Sequence, residues 1–236
     1  MCFTPFVSIS TAIIEFILAT ILLLYFPKTT LRNFSAILIY FLGFYQFTEF
    51  MLCISGNPIF WARLGFVTYS FLPAIALNSA LRFVKRKPHP LFVYIIPFFV
   101  AVYAFSFPIV ISATCKTVFV EVQTVFNHSG PLFNTIIYSI YDLYYFGFVL
   151  ANCILFYLDF KSNKNKIREE IDLTEIWGVL LMTLPTIVFI ILFPYLGIRF
   201  PSVLCGFAIF MAITSFIAVH LESKLIKRKA NANKRR

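Results

Sequence analysis

The chain has 236 residues, 60% of them hydrophobic, with a formal net charge of +10. A mean hydropathy of +0.87 excludes an ordinary soluble domain. The basic residues hug the ends of long apolar stretches, so they read as membrane-topology determinants, and no nucleic-acid partner is expected.

Seven apolar stretches follow in chain order: Phe3–Phe26, Leu31–Cys53, Pro58–Phe83, Leu91–Ser112, Leu132–Phe160, Leu173–Leu196 and Ser202–Leu221. Crossing a hydrocarbon core of ~30 Å takes ~20 helical residues, and each stretch is long enough. No basic n-region or small-residue cleavage site marks the start, so the first stretch is expected to insert as a mature helix. Short turns, PKTT and SGNP, make antiparallel hairpins of the first three stretches, and Pro88 and Pro90 punctuate the next turn. Ala113–Pro131 is the longest outer segment, and its VFVEVQTVF core alternates as a short strand or interfacial segment does. Lys161–Asp172 reads as the longest inner loop, and KLIKRKANANKRR as a mobile tail.

Seventeen of the twenty Lys and Arg fall on one side of this seven-span arrangement; Arg63, Lys116 and Arg199 fall at or near the other. Basic loops stay cytoplasmic. The expected fold is therefore an all-α integral membrane bundle of seven transmembrane helices, N-terminus outside and C-terminus cytoplasmic. It comprises one domain, 1–222, and a basic cytoplasmic tail, 223–236, in the plasma membrane or its equivalent. The lipid bilayer is the first partner. The tail faces anionic lipid, worth about 1 kcal/mol per basic residue near the surface, or a cytoplasmic protein.

Ionisable side chains at membrane depth cost at least ~2.5 kcal/mol each and so turn toward the bundle interior. Glu15, Glu49, Arg63 and Asp142 are the four singled out. Glu49 and Arg63 flank the SGNP turn at matching depth, which suits a salt bridge, either as a lock on the hairpin or as part of an outer pocket. Gln46, Glu49 and Cys53 share one helix face at i, i+3 and i+7. Asn134, Tyr138, Tyr141, Asp142, Tyr145 and Asn152 form a second polar stripe. Glu15 and Asp142 read as a cation- or proton-binding pair, or as ordinary interhelical hydrogen-bonding groups. Pro97 and Pro185 are candidates for shaping a central cavity by freeing backbone carbonyls.

Cys2, Cys53, Cys115 and Cys205 all fall on the outer half, where disulfides are allowed. Cys2 and Cys205 open the first and last spans, which are often neighbours. A disulfide, a soft-metal site completed by Glu49, or plain buried thiols are the alternatives. Asn127-His128-Ser129 fits the N-glycosylation pattern.

No Lys lies in the seventh stretch, so a retinal Schiff base is excluded, and no cofactor beyond a soft metal ion is indicated. Receptor motifs of the D/E-R-Y and NPxxY type are missing, as are a three-His zinc set within the membrane and the repeated proline motifs of small sugar carriers. Met1-Cys2-Phe3-Thr4, Tyr45-Gln46-Phe47-Thr48-Glu49 and Ser202-Val203-Leu204-Cys205-Gly206-Phe207-Ala208 resemble an uncharacterised bacterial family of seven-span membrane proteins. Its members begin MCFS, carry a QQ-x-x-E-G-like segment in span two and close with a WCFF-A-like segment. Thr4, Tyr45, Phe50, Leu204 and Gly206 depart from that pattern. The resemblance implies fold and orientation but no activity, and it marks Cys2, Gln46, Glu49 and Cys205.

The expected function is a receptor- or sensor-like module with an outward-facing polar pocket for a small ligand or metal. Its ligand-binding residues would be Gln46, Glu49, Arg63, Asp142 and Glu15, with Cys2, Cys205 and Glu49 for a metal. The alternatives are a proton-coupled carrier and a membrane thiol-redox enzyme. An enzyme is the less favoured, since no intramembrane His stands ready as a base.

Overall fold

The structure, a computed structural model, describes residues 5–85, 90–107, 109–115, 120–124, 132–163, 165–195 and 204–234. Seven helices carry almost all of them: α1 (Pro5–Tyr25), α2 (Thr30–Ile54), α3 (Pro58–Phe83), α4 (Pro90–Ser106), α5 (Leu132–Ser162), α6 (Lys166–Tyr195) and α7 (Leu204–Lys234). A two-stranded antiparallel hairpin, β1 (Val110–Cys115) and β2 (Val120–Thr124), falls between α4 and α5. Among the described residues, five helices are long and apolar enough to cross a membrane: α1, α2, α3, α5 and α7.

Large apolar side chains such as Ile13, Ile17, Phe92, Phe98, Phe99, Leu143 and Leu150 point outward, an arrangement that suits hydrocarbon rather than water. The inward stripe of α1, by contrast, is Ser8, Ala12, Glu15, Ala19 and Leu22. Small residues there let backbones close up. A Cβ on Gly43 of α2 would meet the Phe16 ring at 3.0 Å and the Ala12 carbonyl at 3.3 Å.

α2 packs on α1, α3 and α7, while α3 also meets α4 and α5. The first and last helices are neighbours, as expected. Thr29 caps α2 by accepting the Arg32 amide at 3.0 Å. The Arg32 guanidinium turns back to the Phe26 carbonyl at 3.1 Å, supplying a donor to the end of α1. At the SGNP turn, Asn57 accepts the Phe60 amide and Pro58 takes the first helical position.

Three expectations change. The fourth stretch does not run as helix to Ser112. α4 ends at Ser106, and at 17 residues it is shorter than a full span needs. Pro108 follows in the sequence, and the β-branched run after it pairs with β2, the strand anticipated in VFVEVQTVF. The inner loop Lys161–Asp172 is instead almost wholly helix. α5 runs to Ser162 and α6 starts at Lys166, with Asn165 accepting the Ile167 amide at 3.1 Å. Lastly, α7 continues through the basic tail to Lys234, since KLIKRKANANK is rich in good helix formers.

The hairpin closes one end of the bundle. Val110, Ala113 and Val120 bury against Leu52 and Ala62. Cys53 and Cys115 form a disulfide, tying β1 to the last turn of α2 across 62 positions of sequence. Replacing both with Ser is expected to cost ~2–4 kcal/mol, read by thermal unfolding in detergent. Dithiothreitol should lower the wild type equally and leave the double variant unmoved.

The opposite end is held by side chains from the basic turns. The Arg168 guanidinium donates to Asp159 at 2.8 Å and to the Phe83 carbonyl at 2.9 Å. Thr29 donates to Glu222 of α7 at 2.5 Å.

Candidate functional site

The residues singled out from the sequence fall in different places. Gln46 and Glu49 are buried on α2, as the inward-facing argument requires. The Tyr45 side chain hydrogen-bonds Glu49 one turn away. Arg63 is half-buried on α3, and its buried Nε has no hydrogen-bond partner. Among the described residues no ion pair joins Glu49 and Arg63, so the proposed hairpin lock does not form. Cys53, the third member of that helix face, is in the disulfide with Cys115. Glu15 is 0% exposed, and both its oxygens lack partners. Asp142 is half-buried on α5. Cys2 and the side chain of Cys205 lie outside the described residues, and with them the metal site they were to form with Glu49. Among the described residues, no three His, Cys, Asp or Glu cluster as metal ligands.

The tyrosines of the second stripe join α5 to α3. Tyr141 pairs with the Ser70 hydroxyl at 2.9 Å, and the Tyr144 hydroxyl donates to the Ser70 carbonyl at 2.7 Å. This is one turn before Pro73, where the helix ladder loses a donor.

Farther along the same helices is a cavity of about 10 Å³, room for one water-sized occupant. Its walls come from Phe34, Ser35 and Leu38 of α2, Ile75, Ala76 and Ser79 of α3, Asn152 and Phe156 of α5, Glu175 of α6, and Met211 and Ser215 of α7. Five helices therefore converge on it. It lies in the half of the bundle toward the basic turns, away from Gln46, Glu49 and Arg63, none of which lines it. Neither Pro97 nor Pro185 lines it; the wall on α3 is the turn after Pro73.

Three of its polar atoms have no hydrogen-bond partner: Asn152 Oδ1, Glu175 Oε1 and Ser215 Oγ. Their residues are 2%, 5% and 1% exposed. Buried polar atoms are nearly always paired, and each orphan costs ~1–3 kcal/mol, more if charged. Three on one cavity mark a place built to meet something polar. Phe34, Ala76 and Ser79 are only half-buried, so the cavity is least covered on that side.

Asn152 belonged to the stripe read from the sequence. Glu175 and Ser215 were missed. Glu175 carried the same signal as the other four ionisable residues, a charge inside the apolar stretch Leu173–Leu196, but it stands three residues from the charged run 161–172 and was not singled out. A lone Ser in an apolar helix carries no signal of its own. Asp172, fully buried one turn before Glu175, was missed because it closes the segment Lys161–Asp172 read as a loop.

Compared with known protein families, curated proteins and solved structures, the chain matches none.

Proposed function

We propose that this chain is a seven-span membrane protein, N-terminus outside and C-terminus cytoplasmic, that acts as a receptor- or sensor-like binding module for a single small polar ligand. The basic turns and the disulfide support the orientation independently. Arg32, Arg168 and the end of α3 share one end of the bundle, and basic ends stay cytoplasmic. The Cys53–Cys115 bond is at the other end, which suits an oxidising compartment. In this reading α4 is the short span, followed in the chain by the hairpin, and α6 starts its crossing after a charged first stretch.

The observation that carries the binding reading is the convergence of Asn152 Oδ1, Glu175 Oε1 and Ser215 Oγ, all unpartnered, on one cavity of five-helix parentage. A ligand touching five helices at once biases their arrangement, which is what a sensor requires. The test is a thermal-unfolding panel on the purified protein: monovalent and divalent cations, ammonium and small anions at fixed ionic strength. At least one should raise the melting temperature, and Ser215→Val, which fills the cavity, should abolish that rise while the variant keeps its helical circular dichroism. A panel with no response, or a response that survives Ser215→Val, overturns the reading.

A further inference from the structure

Resting on that reading of the cavity, we infer that its ligand is one dehydrated monovalent cation of sodium size, held by Glu175, Asn152 and Ser215 with the hydroxyls of Ser35 and Ser79 completing an all-oxygen wall. The donor set decides the chemistry first. The polar side chains lining the cavity are a carboxylate, an amide and three hydroxyls, with no His, Cys, Lys or Arg among them. Oxygen donors of this kind suit hard cations, and the one soft atom on the wall, the Met211 sulfur, is outnumbered by five oxygen-bearing side chains.

Charge decides next. One carboxylate lines the cavity, so a single positive charge neutralises it, whereas a divalent ion would leave an excess charge buried. Arg82, whose guanidinium lies 5.5 Å from the Phe34 ring centroid, does not supply that charge. Its Nε donates to Asn78 Oδ1 at 3.1 Å, and among the described residues it forms no ion pair with Glu175.

Size decides last. At about 10 Å³ the cavity takes one water-sized body and no hydration shell. Magnesium sheds its waters reluctantly, and calcium asks for six to eight oxygens. Sodium is close to water in size, and potassium is larger. A neutral water would satisfy the hydrogen bonds but neutralise nothing, so Glu175 would have to keep a proton beside it, whereas a cation pairs with the bare carboxylate.

The experiment is a titration of sodium chloride against choline chloride at constant total salt, on the full-length protein in detergent. It is read by melting temperature and by binding of radiolabelled sodium. Sodium should stabilise with saturation, as a ligand of the native state does, and potassium should act more weakly. Glu175→Gln should abolish both signals. Ser215→Ala removes one oxygen without adding bulk, and should weaken sodium by at least about tenfold; it keeps the test decisive if Glu175→Gln fails to fold. Sodium acting no differently from choline, or equally in wild type and Ser215→Ala, overturns the assignment. If sodium fails while another member of the ligand panel stabilises the protein and is blocked by Ser215→Val, only the identity of the ligand falls. If every ligand fails, the cavity reading falls with it.

Discussion

Gly178→Ala should destabilise the bundle by about 1–3 kcal/mol, although it adds one methyl group to a helix that ordinarily prefers Ala to Gly. Gly178 faces α7. A Cβ there would lie 2.1 Å from Thr214 Oγ1, 3.0 Å from Thr214 Cβ and 3.2 Å from Met211 Sδ. Thr214 cannot simply turn away, because its hydroxyl is engaged with the Phe210 and Met211 carbonyls at 3.0 and 3.1 Å. A β-branched residue would in any case present its methyl in place of the hydroxyl. The helices must therefore separate, and in lipid no hydrophobic force closes them again, since their association rests on close packing. Gly147→Ala is the control. Nothing would lie within 4 Å of a Cβ there, so it should be neutral or gain up to ~1 kcal/mol from helix propensity. Adding Thr214→Ala to Gly178→Ala should recover part of the loss by removing the closest contact. Thermal unfolding of the wild type and the three purified variants decides the matter; a Gly178→Ala protein as stable as Gly147→Ala would show that α6 and α7 do not pack this way. The same change should reach the cavity, because Glu175 is one turn before Gly178, and Met211 and Ser215 flank Thr214.

That dependence explains what could be read from residues alone. The helix faces of α1, α2 and α3 were legible because one strong rule governs them. An apolar run of the right length crosses, and its few polar members turn inward; Glu15, Gln46 and Glu49 are buried accordingly. Pro58–Phe83 is helical over the whole stretch read for it. The rule fails where two elements are both apolar. Val110–Ser112 looks like the end of a span, and only pairing with β2 makes it part of a strand. It fails again where charge is mistaken for loop. Lys166 to Asp172 carries enough charge to look solvated, yet Ile167 and Ile171 are buried in the core at four-residue spacing, and the segment is the first part of α6. The cavity was out of reach for a different reason. Its polar side chains come from five helices far apart in sequence, and no single helix carries more than one of them. Only packing, set by small residues such as Gly178, brings them to one place.

Arg168→Ala should cost about 2–3 kcal/mol, the largest effect expected from a side chain at the basic end. Its guanidinium performs three tasks that tie α3, α5 and α6 together. It donates to Asp159 at 2.8 Å, donates to the Phe83 carbonyl past the last turn of α3 at 2.9 Å, and lies 3.4 Å from the Phe83 ring centroid. The two charged partners are 20% and 14% exposed, so water screens them only in part. Truncation leaves Asp159 without its cation and the Phe83 carbonyl without its donor. It also removes the positive charge acting on Asp172, which is wholly buried on the next turn of α6 beside Asp159. Arg168→Lys keeps the charge but not the planar fork, so it should recover less than half of the loss. Arg168→Ala combined with Asp159→Asn should be more stable than Arg168→Ala alone, because an orphaned carboxylate costs more than a neutral amide in the same place. The measurement is a double-mutant cycle on melting temperature, repeated at high salt. Additive losses, or a wild-type advantage that vanishes in salt, would reduce Arg168 to a surface ion pair. A coupling that persists in salt would establish it as the tie that holds three helix ends in the register on which the Glu175 cavity depends.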